Sequence, residues 1–576
     1  MQKLCANPWC KSPFDISDAD LQFLEKVSPI FNGKKELIPP PTICPQCRMQ
    51  RRLAFRNERS LYKRTCDLTH REMIAMYPED SPYVVYAKDA WFSDKWDPLS
   101  YGRSVDLSRP FWPQFGELMK VVPKMSLIQQ ANMENAEYCN RASNDKNCYM
   151  IFTSNFSEDC YYSVHLTNCR NCVDCLNTHK SERCYQTVDS YECYDCRWVE
   201  SCKNCSNSAF LKGCTGCSNC MFCTNLTQKQ FCIDNKQYSE EEYRSQLAGT
   251  TLHIRSTTEL LKKRFAELKK NMIVREYMGM VNENVRGNYI DHCKNTLDAY
   301  ECRECEDCRY TQSLVQAKDC MDYASWGRGC ELIYETINCG YNCRNVLFSN
   351  ECWDSNTDLL CCNQCLNSSH CFGCCGLRYK QFCILNKQYS EAEYNELVPK
   401  IIKRMRGLAM NPSPSSALRV NEASGSWGEF IPTNLSPFAY NETNAHDYFP
   451  LKRDEALAQE WRWLDEDPKE KSLTPTPLPD DITQVSDDLC EEILQCSVTG
   501  KKYKIVPQEL SFYRSIGVPV PDKCFEQRQK ERFTLQTPRK LWNRKCAKCG
   551  KEIETSFGPE RTEIVYCENC YIKEVY

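Results

Sequence analysis

The chain has 576 residues, 44 cysteines, only 20 glycines and a formal net charge of -4. It is too long for one ordinary core, and with 41% apolar residues its cores would be thin without the cysteines. No stretch of about 20 apolar residues could span a bilayer, and no basic segment with an apolar run follows Met1, so the expectation is a cytoplasmic protein with reduced thiols. Such thiols serve as metal ligands or as small buried apolar side chains.

The first segment, residues 1–130, reads as a zinc-knuckle module with a connecting stretch. Its pairs Cys5-x4-Cys10 and Cys44-x2-Cys47 can close a tetrahedron of thiolates around Zn2+. Behind them Arg48, Arg51, Arg52, Arg56 and Arg59, with Lys63 and Arg64, surround a single acid, Glu58. Arg48, Arg52, Arg56 and Arg59 share one helical face, a pattern that suits phosphate or an acidic partner; pairing with nearby carboxylates is the bland alternative.

Residues 131–237 form the first of two Cys-rich modules, each with 16 cysteines. From Cys139 to Cys232 all 15 consecutive gaps are multiples of three, which chance would give about once in ten million trials, so a structural period is present. A longer interval of 21 links Cys172, Cys193 and Cys214, and one of 22 links Cys308, Cys330, Cys352 and Cys374. Coils of 21 to 22 residues predict a parallel β-solenoid in which equivalent cysteines stack about 4.8 Å apart as interior columns. Asn147, Asn168, Asn204, Asn219, Asn338 and Asn342 precede or adjoin cysteines and can take left-handed corners without glycine. Columns of thiols could instead hold zinc, copper(I) or iron-sulfur clusters.

Residues 238–280 read as a helical cap and connector, and 281–388 as the second solenoid. The segment Gln230–Tyr243 recurs as Gln381–Tyr394, displaced by 151 residues. Ser239 with Glu242, and Ser390 with Glu393, form capping boxes that start a helix at each solenoid end. Leu261, Phe265, Leu268 and Met272 mark the apolar face of a further helix. Residues 389–489 hold a second helical cap, Pro/Ser linkers at Asn411–Ser416 and Leu473–Pro479, and a docking helix over about 452–465 with Trp461 and Trp463.

The last segment, 490–576, carries Cys546-x2-Cys549 and Cys567-x2-Cys570, a zinc ribbon. It duplicates the first: shifted by 480, Arg48 matches Arg528, Arg52 matches Arg532, Tyr62 matches Trp542 and Val84-Val85-Tyr86 matches Ile564-Val565-Tyr566. The ancestral module then held two sites. The first copy retains only Cys66, with Thr69, from the second site, and the last copy retains Cys490, Cys496 and Cys524, with Gln527 in a ligand's place. The predicted cofactor is Zn2+, one ion near each terminus, with those three cysteines as a degraded third site. Four thiolates leave no open position for a water nucleophile, so the sites read as structural.

On the runs Cys44-Pro-Gln-Cys-Arg-Met-Gln-Arg-Arg52, Arg56-Asn-Glu-Arg59, Pro437-Phe-Ala-Tyr-Asn-Glu-Thr443 and Cys567-Glu-Asn-Cys-Tyr-Ile-Lys-Glu-Val-Tyr576, the chain resembles a family of Cys-rich zinc-ribbon proteins of ultra-small candidate-phylum bacteria. Members are often labelled CaiB/BaiF-like CoA-transferases. That label implies an α/β transferase; this sequence shows neither strand-helix alternation nor Gly-rich turns. The reading is thus a mainly β protein of two tandem solenoids flanked by zinc-knuckle modules, acting as a zinc-binding scaffold toward an unknown protein or nucleic acid, and not toward a membrane. A thiol-rich metal store is the alternative, and a carbohydrate-active or transferase enzyme the second alternative.

Overall fold

A computed structural model describes residues 1–410, 426–465 and 477–575. The linker at Asn411–Ser416 and the first part of the one at Leu473–Pro479 lie outside the described residues. The fold is mainly β: the solenoids form parallel sheets of 11 and 8 strands, each closed by one short antiparallel strand. No described helix is long and apolar enough to cross a membrane. None of the 44 cysteines is in a disulfide.

The period of three is a backbone period. Every third residue from Arg141 to Asp234 has a positive φ, and every third residue from Ala142 to Cys223, one after each corner, is buried. A coil is four such triplets. Phe152 pairs with Val164, Val164 with Leu176 and Leu176 with Val188, so successive coils are 12 residues apart. Trp198, Phe210 and Phe222 stack on the outside at 4.8 and 4.9 Å with rings 9° from parallel, the spacing of neighbouring strands.

This corrects the coil of 21 residues. The thiols that stack are 12 apart, as in Cys148, Cys160, Cys172, Cys184 and Cys196, and Cys193 lies on a different side of the coil from Cys172. An interval of 21 is one coil plus three of its four sides. Four inward side chains share each narrow cross-section, which suits Cys, Ser, Thr and Ala, and each thiol finds backbone partners. Cys172 Sγ donates toward the carbonyls of Arg170 and Ser181, both at 3.4 Å.

The second solenoid follows the same plan with wider coils. Glu331 pairs with Arg344 and Arg344 with Thr357, 13 residues each, before the register returns to 12 at Thr357 and Ser369. Tyr323 lies in the first of the wider coils: it points inward, is fully buried, and its hydroxyl donates to the Cys339 carbonyl. The extra residue also moves a corner. Of the six asparagines expected at corners, five have positive φ, whereas Tyr341 takes the position expected of Asn342. Asparagine tolerates this conformation at less cost than β-branched residues, although Thr153 takes a corner (φ 54), so Asn168→Val should cost about 1–2 kcal/mol in urea unfolding while Asn168→Gly should cost a few tenths at most.

Contacts divide the chain into two units, Met1–Leu127 with Tyr277–Leu464 and Ile128–Glu276 with Asp465–Tyr576. The N-terminal module therefore packs on the second solenoid and the C-terminal module on the first. In the second unit the helix Arg255–Lys269 lays Phe265 against Phe210 at 5.8 Å. The capping boxes are present at Ser239 and at Ser390. The docking helix is shorter than expected, Arg453–Ala458, because Glu460 turns left-handed (φ 60). That turn sends Trp461 onto Tyr440 at 5.0 Å and Trp463 onto His446 at 5.5 Å.

Candidate metal centres and docked arginine helices

Each four-cysteine set is built from a tight turn and a helix start. Cys5 follows the strand Gln2–Leu4, Cys44 caps the helix Pro45–Leu53 and Cys47 sits in its first turn. Ala6 N–H donates to the Thr42 carbonyl at 3.0 Å and joins the two halves. All four sulfurs of Cys5, Cys10, Cys44 and Cys47 lie within 4.8 Å of one another. Cys5 to Cys47 and Cys10 to Cys44 are each 3.7 Å; ligands about 2.3 Å from a tetrahedral ion stand about 3.8 Å apart, so the spacing fits zinc. Asn7 Nδ2 donates to Cys47 Sγ at 3.2 Å and Cys44 N–H to Cys5 Sγ at 3.3 Å, an outer layer that favours thiolates.

The C-terminal set repeats this plan. Cys546 follows the strand Trp542–Lys545, paired with Glu552–Thr555, and Cys567 precedes the helix Glu568–Val575. Its four sulfurs, with Cys549 and Cys570, also lie within 4.8 Å of one another, Cys549 to Cys567 at 3.7 Å. Cys567 N–H donates to Cys546 Sγ at 3.2 Å. Desolvation pushes the Cys546 thiol up, but the N–H groups of Cys549, Cys567 and Lys548 overcome it and bring the group down to about 6.

Two more turns keep the backbone of a knuckle without its ligands. At Cys66 the Ala87 N–H donates to Sγ at 3.3 Å, as Cys567 N–H does to Cys546, but Ala87 and Ala90 stand where Cys567 and Cys570 would be. His70 is a corner (φ 55), the counterpart of Gly550 (φ 75). At Cys496, Thr499 takes the second ligand position and places its hydroxyl 3.8 Å from Cys524 Sγ. Cys490 ends a short helical turn, Asp487–Cys490, six residues earlier in the chain. Among the described residues Cys490, Cys496 and Cys524 form no three-ligand group, so the expected third site does not assemble, Thr499 and Gln527 having displaced its ligands.

Four of the five arginines are also not where a phosphate could reach them, and the fifth, Arg59, is half-buried. Arg48, Arg51, Arg52 and Arg56 are buried. Arg48 and Arg52 meet Asp322 and Glu335, with Arg52 3.0 Å from Glu335. Arg51 bridges Glu335 at 3.1 Å and Glu429 at 2.6 Å. Arg56 pairs with Glu58 and Arg59 with Asp447, both at 2.6 Å. Burial opposes charge on Arg48, but Asp322, Tyr334 and Glu335 outweigh it and hold its pKa above the usual arginine range. The expected nucleic-acid or anion surface at Arg48, Arg51, Arg52, Arg56 and Arg59 is therefore corrected to an internal docking surface. Apart from Glu58, these partners come from sequence far away, which a local charge pattern does not reveal.

The second unit repeats the arrangement with Arg528 and Arg532 on Asp174, the latter at 2.8 Å. Asp174 and Asp322 are both buried corner residues with φ of 57 and 52. Glu509 sits beside this pair, accepting from Tyr513 Oη at 2.5 Å. Burial pushes Glu509 up to about 7, and Arg528 and Tyr513 offset only part of that. An acid raised on folding binds its proton more tightly in the folded state, so stability falls as pH rises from about 4.5 to about 7. In guanidinium melts the second unit should lose about 3 kcal/mol across that window, and Glu509→Gln should flatten the dependence.

A cavity of about 410 Å³ lies in the first unit between the helix Asp18–Val27 and the second solenoid, lined by Phe23, Lys26, Asn295, Asp307, Arg309 and Asp319. Lys26 pairs with Asp319 at 2.6 Å and Arg309 with Asp20 at 3.2 Å, so its cations and carboxylates largely neutralise one another.

No family model matches the sequence, and no curated protein matches it. Among solved structures, the crystal structure described as "putative acetyltransferase from Desulfovibrio desulfuricans G20" is similar at 10% identity and a TM-score of 0.11, over 42% of this chain and 62% of that one. This chain thus spans less than two thirds of that protein's length, and a likeness at this level carries no argument.

Proposed function

We propose that the chain is a zinc-stabilised structural scaffold, with two solenoids each fastened to a knuckle module and presenting long ribbed faces to a protein partner. The observation that carries the reading is the pair of closed four-thiolate sets at the two ends, each at tetrahedral spacing. Zinc is the ion such a set suits best, being indifferent to redox state and content with four sulfurs. The solenoid thiols, by contrast, bond to backbone carbonyls and fill space. With the arginine stripes facing inward, an acidic partner or nucleic acid would have to be met by other residues.

Elemental analysis of the purified chain tests this reading against the metal store. About two zinc ions per chain is the expected content. Ten or more soft-metal ions per chain would transfer the solenoid cysteines to metal storage.

A further inference from the structure

The two four-thiolate sets differ in their access to solvent. Cys5, Cys44 and Cys47 are 1%, 5% and 8% exposed and Cys10 is half-buried. In the C-terminal set Cys546 and Cys567 are buried, but Cys570 is half-buried and Cys549 is exposed. Beside Cys549 the space is open, since a Cβ added at Gly550 would meet nothing within 4 Å. Lys548, next to Cys549 in the chain, pairs with Glu574. The N-terminal sulfurs also have a side-chain donor, Asn7, that ties Cys47 down.

We propose, resting on the zinc reading above, that the C-terminal set is a metal-exchange site, loading and releasing a divalent thiophilic cation through Cys549, while the N-terminal set exchanges its ion far more slowly. An outside chelating donor can approach along the open side at Gly550. The bond from Cys549 Sγ to the cation breaks, the thiolate takes a proton from solvent, and the incoming donor's lone pair replaces it; no electron changes hands. The buried Cys546 and Cys567 let go last.

The consequence within that unit is mechanical. The strand Ile564–Tyr566 just before Cys567 pairs in parallel with Ile273–Arg275, and Glu568 N–H donates to Glu276 Oε1 at 2.9 Å. The cation's state therefore sets how firmly the strand Ile273–Arg275 is held, giving the scaffold a metal-dependent attachment.

The test uses the full chain loaded with Zn2+ and challenged with 4-(2-pyridylazo)resorcinol, with release followed by absorbance. One equivalent should leave at least about tenfold faster than the other. Cys549→Ser and, separately, Cys570→Ser should abolish the fast phase and leave the slow one unchanged, while Cys47→Ser should keep the fast phase. Release of both equivalents at one rate, or a fast phase surviving both C-terminal variants, overturns the inference. Fewer than two equivalents in the unchallenged chain would instead overturn the two-site reading beneath it.

Discussion

Stripping metal from the chain with a strong chelator at neutral pH should unfold the hairpin Trp542–Lys545/Glu552–Thr555 and the turn around Cys5 while both solenoids stay intact. The reason is that neither knuckle has much core of its own. The apolar cluster at the N-terminal site is Phe14 and Ile16 with the ligand cysteines, flanked by the partly buried Leu21 and Ile43, and half of the C-terminal hairpin is exposed. A structural zinc contributes on the order of 10 kcal/mol to such a module, far more than those few side chains can. Hydrogen exchange should show the amides of these hairpins losing protection, with those of the solenoid strands, such as Val164–Thr167, unchanged. Re-addition of zinc should restore them. The same loss should follow acidification, because the thiolates must take up protons as the ion leaves.

Asp322→Ala is expected to be the most damaging single substitution outside the metal sites. Asp322 is fully buried between Arg48 and Arg52, and without it Glu335 would be the one carboxylate left to Arg48 and Arg52 while also pairing with Arg51, which keeps Glu429. Stranding a buried charge in this way costs about 3–5 kcal/mol, because the guanidinium has left water and cannot neutralise itself. Urea unfolding should show that loss in the first unit, with faster exchange in the helix Pro45–Leu53. Asp174→Ala should do the same to the second unit through Arg528 and Arg532. Coupling Asp322→Ala with Arg52→Met should recover part of the stability, since the second change removes the stranded cation.

The metal sets were legible in the sequence because knuckle ligands are local, with two residues between the partners of three pairs and four between Cys5 and Cys10, and because the two end segments align at a shift of 480 residues, each keeping a different ligand set. The solenoid was legible as a class, and its period of three was the real signal. Its coil length was not. In the first Cys-rich module, pairs of cysteines 12 apart and 21 apart each occur eight times, because inward positions on all four sides of the coil carry cysteine. Only strand register, such as Leu176 with Val188, decides between them. The asparagines predicted the corners until the wider coils, where the corner expected at Asn342 falls at Tyr341. The arginines were the hardest case. An amphipathic basic helix looks alike whether it meets phosphate or carboxylate, and Asp322, Glu335 and Glu429 lie hundreds of residues away.

The cysteines divide by position: the eight of the two four-sulfur sets are placed to hold metal, and those of the solenoids pack as reduced thiols. Pulsed alkylation of the folded chain, mapped by mass spectrometry before and after chelation, addresses this division residue by residue. The expected result is that chelation opens Cys5, Cys10, Cys44, Cys47, Cys546, Cys549, Cys567 and Cys570 to the reagent while Cys160, Cys172 and Cys184 react only once the chain is denatured. Solenoid cysteines that become reactive on chelation, or that are recovered already oxidised to one another, would contradict it.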